Sequence, residues 1–234
     1  MTNLLVIAMV IEESGMSLAA FPLLLLPIIG LLSYYVFLWI EVTRGTRSAP
    51  TLETKRIVIL GHGKGCGKTT MWKLLRGEYT EEGKEDPTPY QEVKSFYLSA
   101  SSGKKVKIGK SVDYGGGDDW VRKWEEIIQS GTFVYFLVNL ETIDQDKKDI
   151  NQRLWKIVTI FKEKKLEKVG IKIVATHLDK TKYTESEAIE KVIKTVKIRC
   201  EGNHIIALNL FDKNSFQRIK NEIVHSTQEG IAYE

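Results

Sequence analysis

Cysteine is almost missing from this chain: two in 234 residues, Cys66 and Cys200. Two thiols make no disulfide framework, and one of them lies in a glycine-rich loop, which fits a reducing compartment. A run of one charge is missing as well. The formal net charge is only +4 and the basic residues are dispersed, so the basic patch of a nucleic-acid-binding protein is not there. Neither an internal repeat nor a low-complexity tract occurs. Lysine and arginine are absent altogether before Arg44. What remains is one medium globular domain with an apolar appendage.

The appendage is the amino-terminal part. Leu18 to Ile40 holds no charged residue over 23 positions. As a helix it reaches ~34 Å at ~1.5 Å per residue, enough to cross a bilayer core of ~30 Å. Pro22 and Pro27 bend or delay its first turns, and Tyr34, Tyr35 and Trp39 suit an interfacial end. Only Glu12 and Glu13 precede it, whereas Arg44, Arg47, Lys55 and Arg56 follow. The positive-inside rule therefore places everything after residue 41 in the cytoplasm of a single-pass membrane protein. The expected organisation is a short segment 1–17, a transmembrane helix 18–40, a polar linker 41–54, a globular domain 55–228 and a tail 229–234. The apolar patch Leu4–Ile11 within the first segment is too short to span.

The globular part opens on IVILGHGKGCGKTT, residues 57–70. A β-branched strand runs into a glycine-rich loop and then a helix start carrying lysine and hydroxyls, the arrangement that cradles phosphate. Gly63, Lys64, Gly65, Cys66, Gly67, Lys68, Thr69 and Thr70 are the nucleotide-binding candidates. Lys68 brings a point charge to the β- and γ-oxygens and Thr69 a hydroxyl to Mg²⁺. The usual spacing puts the first glycine at His62, while Gly61 lies one residue earlier. A longer loop and a histidine in place of glycine both remain open.

From Lys55 strand and helix patterns alternate, which predicts an open α/β sheet. Helices are expected over about 69–76, around Trp120 and Trp124, over 146–165, 185–199 and 215–225. Buried strands are expected at 133–139 and 171–176, a short one at 204–209, and a hairpin over 91–112 turning at Ser101–Gly103. Asp113 and Gly116 form D-x-x-G at a strand end: the carboxylate can hold Mg²⁺ through water and the Gly116 N–H can reach a γ-phosphate oxygen. Thr88, between Pro87 and Pro89, is the candidate for the other Mg²⁺-linked sensor, with Thr80 as an alternative. After the strand 171–176 comes Thr176-His177-Leu178-Asp179. A carboxylate at such a tip accepts from guanine N1–H and the exocyclic amine, a donor pair that adenine lacks.

Taken together, Lys55 to about His225 resembles the small GTPases, most closely the Arf branch. The stretch DYGGGDDWVRKWEEIIQSGTFVYFLVN is similar to the family's D-x-G-G, tryptophan helix and apolar strand. Pro87-Thr88-Pro89 resembles its first switch, and THLD resembles the base motif of Roc-type GTPases. The resemblance implies a P-loop fold with a six-stranded, mostly parallel, doubly wound sheet and the nucleotide at the carboxyl ends of the strands. It also implies GTP/GDP and Mg²⁺ as ligands, Lys68 and Gly116 as the catalytic groups, and protein partners through residues 77–90 and 113–124. An anchor followed by such a domain is similar in layout to the signal-recognition-particle receptor β-subunit. Thr176 and His177 stand where asparagine and lysine are usual, and Gly117 stands where a water-orienting glutamine is usual. Asp118 or Asp119 is left to substitute for it. The expected activity is slow GTP hydrolysis by a membrane-held switch; a non-hydrolysing GTP-loaded scaffold is the alternative, and an ATPase ranks third.

Overall fold

Unbroken apolar runs form the middle of the sheet, as strands covered on both faces require. The computed structural model describes residues 33–35, 54–78, 90–166, 169–198 and 204–229. In chain order these form β1 (Thr54–Gly61), α1 (Lys68–Leu75), β2 (Tyr90–Val93), β3 (Phe96–Ser99), β4 (Lys105–Ile108), β5 (Ser111–Tyr114), α2 (Asp118–Val121), α3 (Trp124–Ile127), β6 (Thr132–Asn139), α4 (Lys147–Glu163), β7 (Gly170–Thr176), a 3₁₀ turn (Leu178–Lys180), α5 (Glu185–Thr195), β8 (Ile205–Ala207) and α6 (Lys213–Glu229). The six-stranded sheet has the order β3-β4-β1-β6-β7-β8. All its pairings are parallel except β3 with β4 at the edge.

Successive strand residues point to opposite faces, and the two faces are covered by different helices. Val58, Leu60, Val134, Phe136 and Val138 pack with Leu154, Ile157 and Phe161 of α4 and with Ala188 and Val192 of α5. Ile57, Ile59, Tyr135 and Leu137 pack with Met71, Trp72 and Leu75 of α1 and with Ile219, Ile223 and Val224 of α6. Each fully buried Val, Leu, Ile, Phe or Met side chain among them contributes about 1.5–3 kcal/mol by removal from water. The open α/β sheet expected from the alternating pattern is observed, in the six-stranded, mostly parallel form with helices on both faces that the resemblance implies.

The hairpin is longer than expected and interrupted. Its register is unchanged from Tyr90↔Tyr114 to Phe96↔Ile108 and Ser99↔Lys105, yet β2 and β5 form a separate two-stranded ribbon. Beyond Gly109 the ladder to β1 stops, and the Ser111 hydroxyl donates to the Ile57 carbonyl at 3.0 Å instead. The tryptophan helix is two short pieces, α2 and α3. The helix expected to run to residue 199 stops at Thr195, where Val196 turns extended (φ −78, ψ 142). Asn151 of α4 fixes that end: its amide donates to the Thr195 carbonyl at 2.9 Å and its oxygen accepts from the Lys197 N–H at 2.6 Å.

The chain divides into two compact units, Met1–Thr51 and Leu52–Glu234. Of the first, only Ser33–Tyr35 is described, and it is helical. The expected membrane span at 18–40 otherwise lies outside the described residues. Among the described residues no helix is long and apolar enough to cross a membrane.

Candidate functional site

Strand tips define the site. β1 keeps its parallel ladder to β6 as far as Gly61, which sits opposite Leu137. Gly61 is thus strand, and His62 takes the first-glycine position of the loop. Its side chain is buried beneath the loop. Nδ1 lies 3.3 Å from the Leu137 carbonyl and Nε2 3.1 Å from the Asp146 carboxylate. Burial holds the imidazole below its ordinary pKa, against the opposing pull of Leu137 and Asp146.

Past His62 the loop turns back on itself. Gly67 adopts φ +91, where an L side chain is strained, and a Cβ there would meet Leu210 Cδ1 at 2.7 Å. Gly67 also begins α1 with no side-chain cap, which leaves the first-turn N–H groups of that helix open to an anion. Lys68 is buried, and its ammonium donates to the Gly63 carbonyl at 2.9 Å. Cys66 points beneath the loop, with its thiol 3.3 Å from the same carbonyl, so only its backbone faces the cradle. Lys64 and Gly65 form the exposed rim, and Thr70 follows Thr69 in the first turn of α1.

The two Mg²⁺ candidates that lie in described residues meet here. The Thr69 hydroxyl donates to Asp113 Oδ2 at 2.6 Å, and Asp113 is only 1 % exposed at the end of β5. Three residues on, Gly116 lies so close to the phosphate loop that a Cβ would overlap Gly63 and the Lys64 nitrogen. Only glycine fits that contact. Thr88 and Thr80 fall in 79–89, outside the described residues, as does most of the 77–90 partner segment. Within 113–124, Tyr114 and Trp120 stack at 5.3 Å and carry the half-exposed Tyr90 of β2.

At the tip of β7 the residues expected on the base side are arranged differently. Thr176 is fully buried, and its hydroxyl lies 3.1 Å from the Cys66 carbonyl and 3.3 Å from the Val138 carbonyl. A threonine thus ties the base segment to the phosphate loop. His177 is held in the left-handed region (φ 61, ψ 34), with Nδ1 2.9 Å from the Thr176 oxygen. A non-glycine residue in that region is costly and clusters at functional sites. Asp179 sits in the 3₁₀ turn, its side chain 31 % exposed and 4.0 Å from the Lys180 ammonium.

A family model of the ADP-ribosylation factor family matches residues 46–226. The chain belongs to the ADP-ribosylation factor family. The phosphate loop and the carboxylate in the turn past β7 are in accord with that membership. Among solved structures, it is similar to that of Methanosarcina barkeri Roco2 RocCORdC bound to GDP, with a TM-score of 0.51 and 11 % identity. The match covers 76 % of this chain and 50 % of that one, so this chain spans half the length of the structure it matches. At that identity the likeness is one of fold. No curated protein matches.

Three features of the Arf-like site were not foreseen: the His62–Asp146 contact, Leu210 against Gly67, and Arg153. Arg153 is buried in α4, with Nε 2.9 Å from Asp149 Oδ1, Nη2 2.7 Å from Asp118 Oδ1 and Nη1 3.4 Å from the Gly61 carbonyl. Asp118, a candidate to replace the missing glutamine, is therefore engaged with α4.

Proposed function

We propose that this Arf-like protein is a membrane-held molecular switch that binds GTP, hydrolyses it slowly to GDP, and signals through the segment that follows Asp113. The observation that carries the reading is that the end of β5 and the residues after it meet the phosphate loop twice, Asp113 at Thr69 and Gly116 at Gly63 and Lys64. A hydroxyl and a carboxylate in contact are hard oxygen donors of the kind Mg²⁺ takes alongside water and phosphate oxygens. When bound, the ion neutralises charge developing on the β- and γ-phosphates. Thr69 and Asp113 would hold it. Lys68 orients the phosphates and spreads their charge, while the Gly116 N–H can report the γ-phosphate.

Slow turnover follows from Gly117, which has no side chain to orient water, and from the engagement of Asp118 by Arg153. A partner-supplied arginine can add ~10³–10⁵ in rate. The same two facts favour a second reading, a GTP-loaded scaffold that does not hydrolyse at all. The cytoplasmic placement and the anchor at 18–40 rest on the apolar run and its flanking arginines.

Full-length protein in lipid nanodiscs tests both readings. Bound nucleotide is extracted and identified, and phosphate release is followed with and without cytosol. GDP with slow release supports the switch, and GTP persisting for hours supports the scaffold. Adenine nucleotide, or none, ends both. Gly116→Ala should leave GDP binding within a few-fold while removing the preference for GTP.

A further inference from the structure

We infer that Arg153 is a positioning residue, a latch that fixes the Gly116-Gly117-Asp118 segment against the phosphate loop when a triphosphate is bound. This rests on the guanine-nucleotide switch reading and goes beyond it by naming what holds the second sensor. Arg153 reaches three acceptors on three parts of the fold: Asp149 one helical turn earlier on α4, the Gly61 carbonyl at the tip of β1, and Asp118 at the first position of α2. Two of them lie 92 and 35 residues away in sequence. A planar guanidinium can serve all three at once, where an ammonium on a flexible stem cannot fix the same fork.

The partners are unequal, and that makes a latch possible. The Arg153 side chain is 7 % exposed, Asp149 38 % and Asp118 92 %. Asp149 alone already pairs the buried cation, so releasing Asp118 leaves no lone buried charge. A bond to so exposed a carboxylate is weak and easily exchanged. Asp118 is also separated by only Gly117 from Gly116, whose backbone abuts Gly63 and Lys64. The closed Gly116 contact and the Arg153–Asp118 bond occur together in one conformation. Whatever sets Asp118 therefore sets where the Gly116 N–H points, and only a triphosphate offers that N–H a γ-oxygen.

The test is release of fluorescent GDP and of a fluorescent non-hydrolysable GTP analogue from the full-length protein, for wild type, Asp118→Asn, Arg153→Lys and the double variant. Asp118→Asn should speed analogue release by about two- to fivefold, the upper part of the range of about 0.2–1 kcal/mol for an exposed ion pair, and leave GDP release unchanged. Arg153→Lys should do the same, and the double variant no more than either single one. General loosening would speed both nucleotides alike, so equal acceleration, or multiplying effects in the double variant, overturns the latch and leaves the switch reading standing. Should Arg153→Lys not fold, Asp118→Asn and Asp118→Glu, at an exposed carboxylate, decide it on the analogue-to-GDP ratio alone. Wild type that binds no guanine nucleotide overturns the switch reading, and the latch with it.

Discussion

The phosphate end and the base end of the site are built on different principles. The expected phosphate side is built of backbone and of side chains tied to backbone: Gly67 at φ +91, Lys68 on the Gly63 carbonyl, Gly116 flush against Gly63. The expected base side is instead a set of side chains at and just past the end of β7, Thr176, His177 and Asp179, with Asp179 nearly a third exposed. Backbone geometry admits few substitutes because glycine alone fits. A side-chain site can be rebuilt from other residues if the hydrogen bonds survive. Hence the phosphate loop departs from the usual pattern only at His62, which takes the first-glycine position, while the segment after β7 carries threonine and histidine where asparagine and lysine are usual.

The severest way to break that contrast is Lys68→Ala. It removes the buried ammonium held against the Gly63 carbonyl. A charge-assisted bond is worth about 1.5–3 kcal/mol, so nucleotide affinity should fall by roughly 10- to 10²-fold in calorimetric titration. Retained affinity for GTP would place the cradle elsewhere. Next comes Asp179→Asn. The amide puts an N–H donor where a carboxylate acceptor faced one of guanine's donors, which reverses that half of the match. GTP should weaken by roughly tenfold or more, and xanthine nucleotide should gain, measured by competition against labelled GDP. Unchanged GTP affinity would mean that the base pocket is not at the tip of β7.

Much of this was legible beforehand, and what was not has a common physical cause. The apolar runs of β1, β6 and β7 and the phosphate loop are local patterns, and they fell where expected. Asp113 could be placed because one hairpin brings it back beside β1, where it meets Thr69. Arg153 could not. In α4 it reads as one more charge on a helix with a charged outer face, and its meaning depends on Gly61 and Asp118, which the tertiary fold delivers. His62 was likewise ambiguous until the ladder opposite Leu137 assigned Gly61 to the strand. The early stop of α5 depends on Asn151, a residue from another helix.

A smaller effect sharpens the comparison by cutting the tie between the two ends. Thr176→Val keeps the shape of the side chain and deletes the hydroxyl that reaches the Cys66 and Val138 carbonyls. The loss should be about 1 kcal/mol of stability. GDP release should speed a few-fold, because the base segment no longer rides on the phosphate loop. Chemical denaturation and stopped-flow release measure the two separately. A stability loss with no change in release would mean that the two ends are independent.

The smallest effect expected concerns pH, and it arises beneath the phosphate end. His62 is buried under the loop with its pKa held below the ordinary value of 6.5, chiefly by desolvation. The unfolded chain therefore takes up a proton at a pH where the folded one does not. Wherever that holds, stability rises with pH, so the contribution of His62 is complete above about 6.5 and is lost as pH falls below it. A single group changes stability by at most about 1.4 kcal/mol per pH unit. The melting temperature should decline between pH 7.5 and 5.5, and His62→Gln should flatten that decline. A steeper fall in the variant than in the wild type would mean that the imidazole is charged in the fold. The Asp146 carboxylate and the Leu137 carbonyl would then outweigh burial, and the loop would rest on a cation.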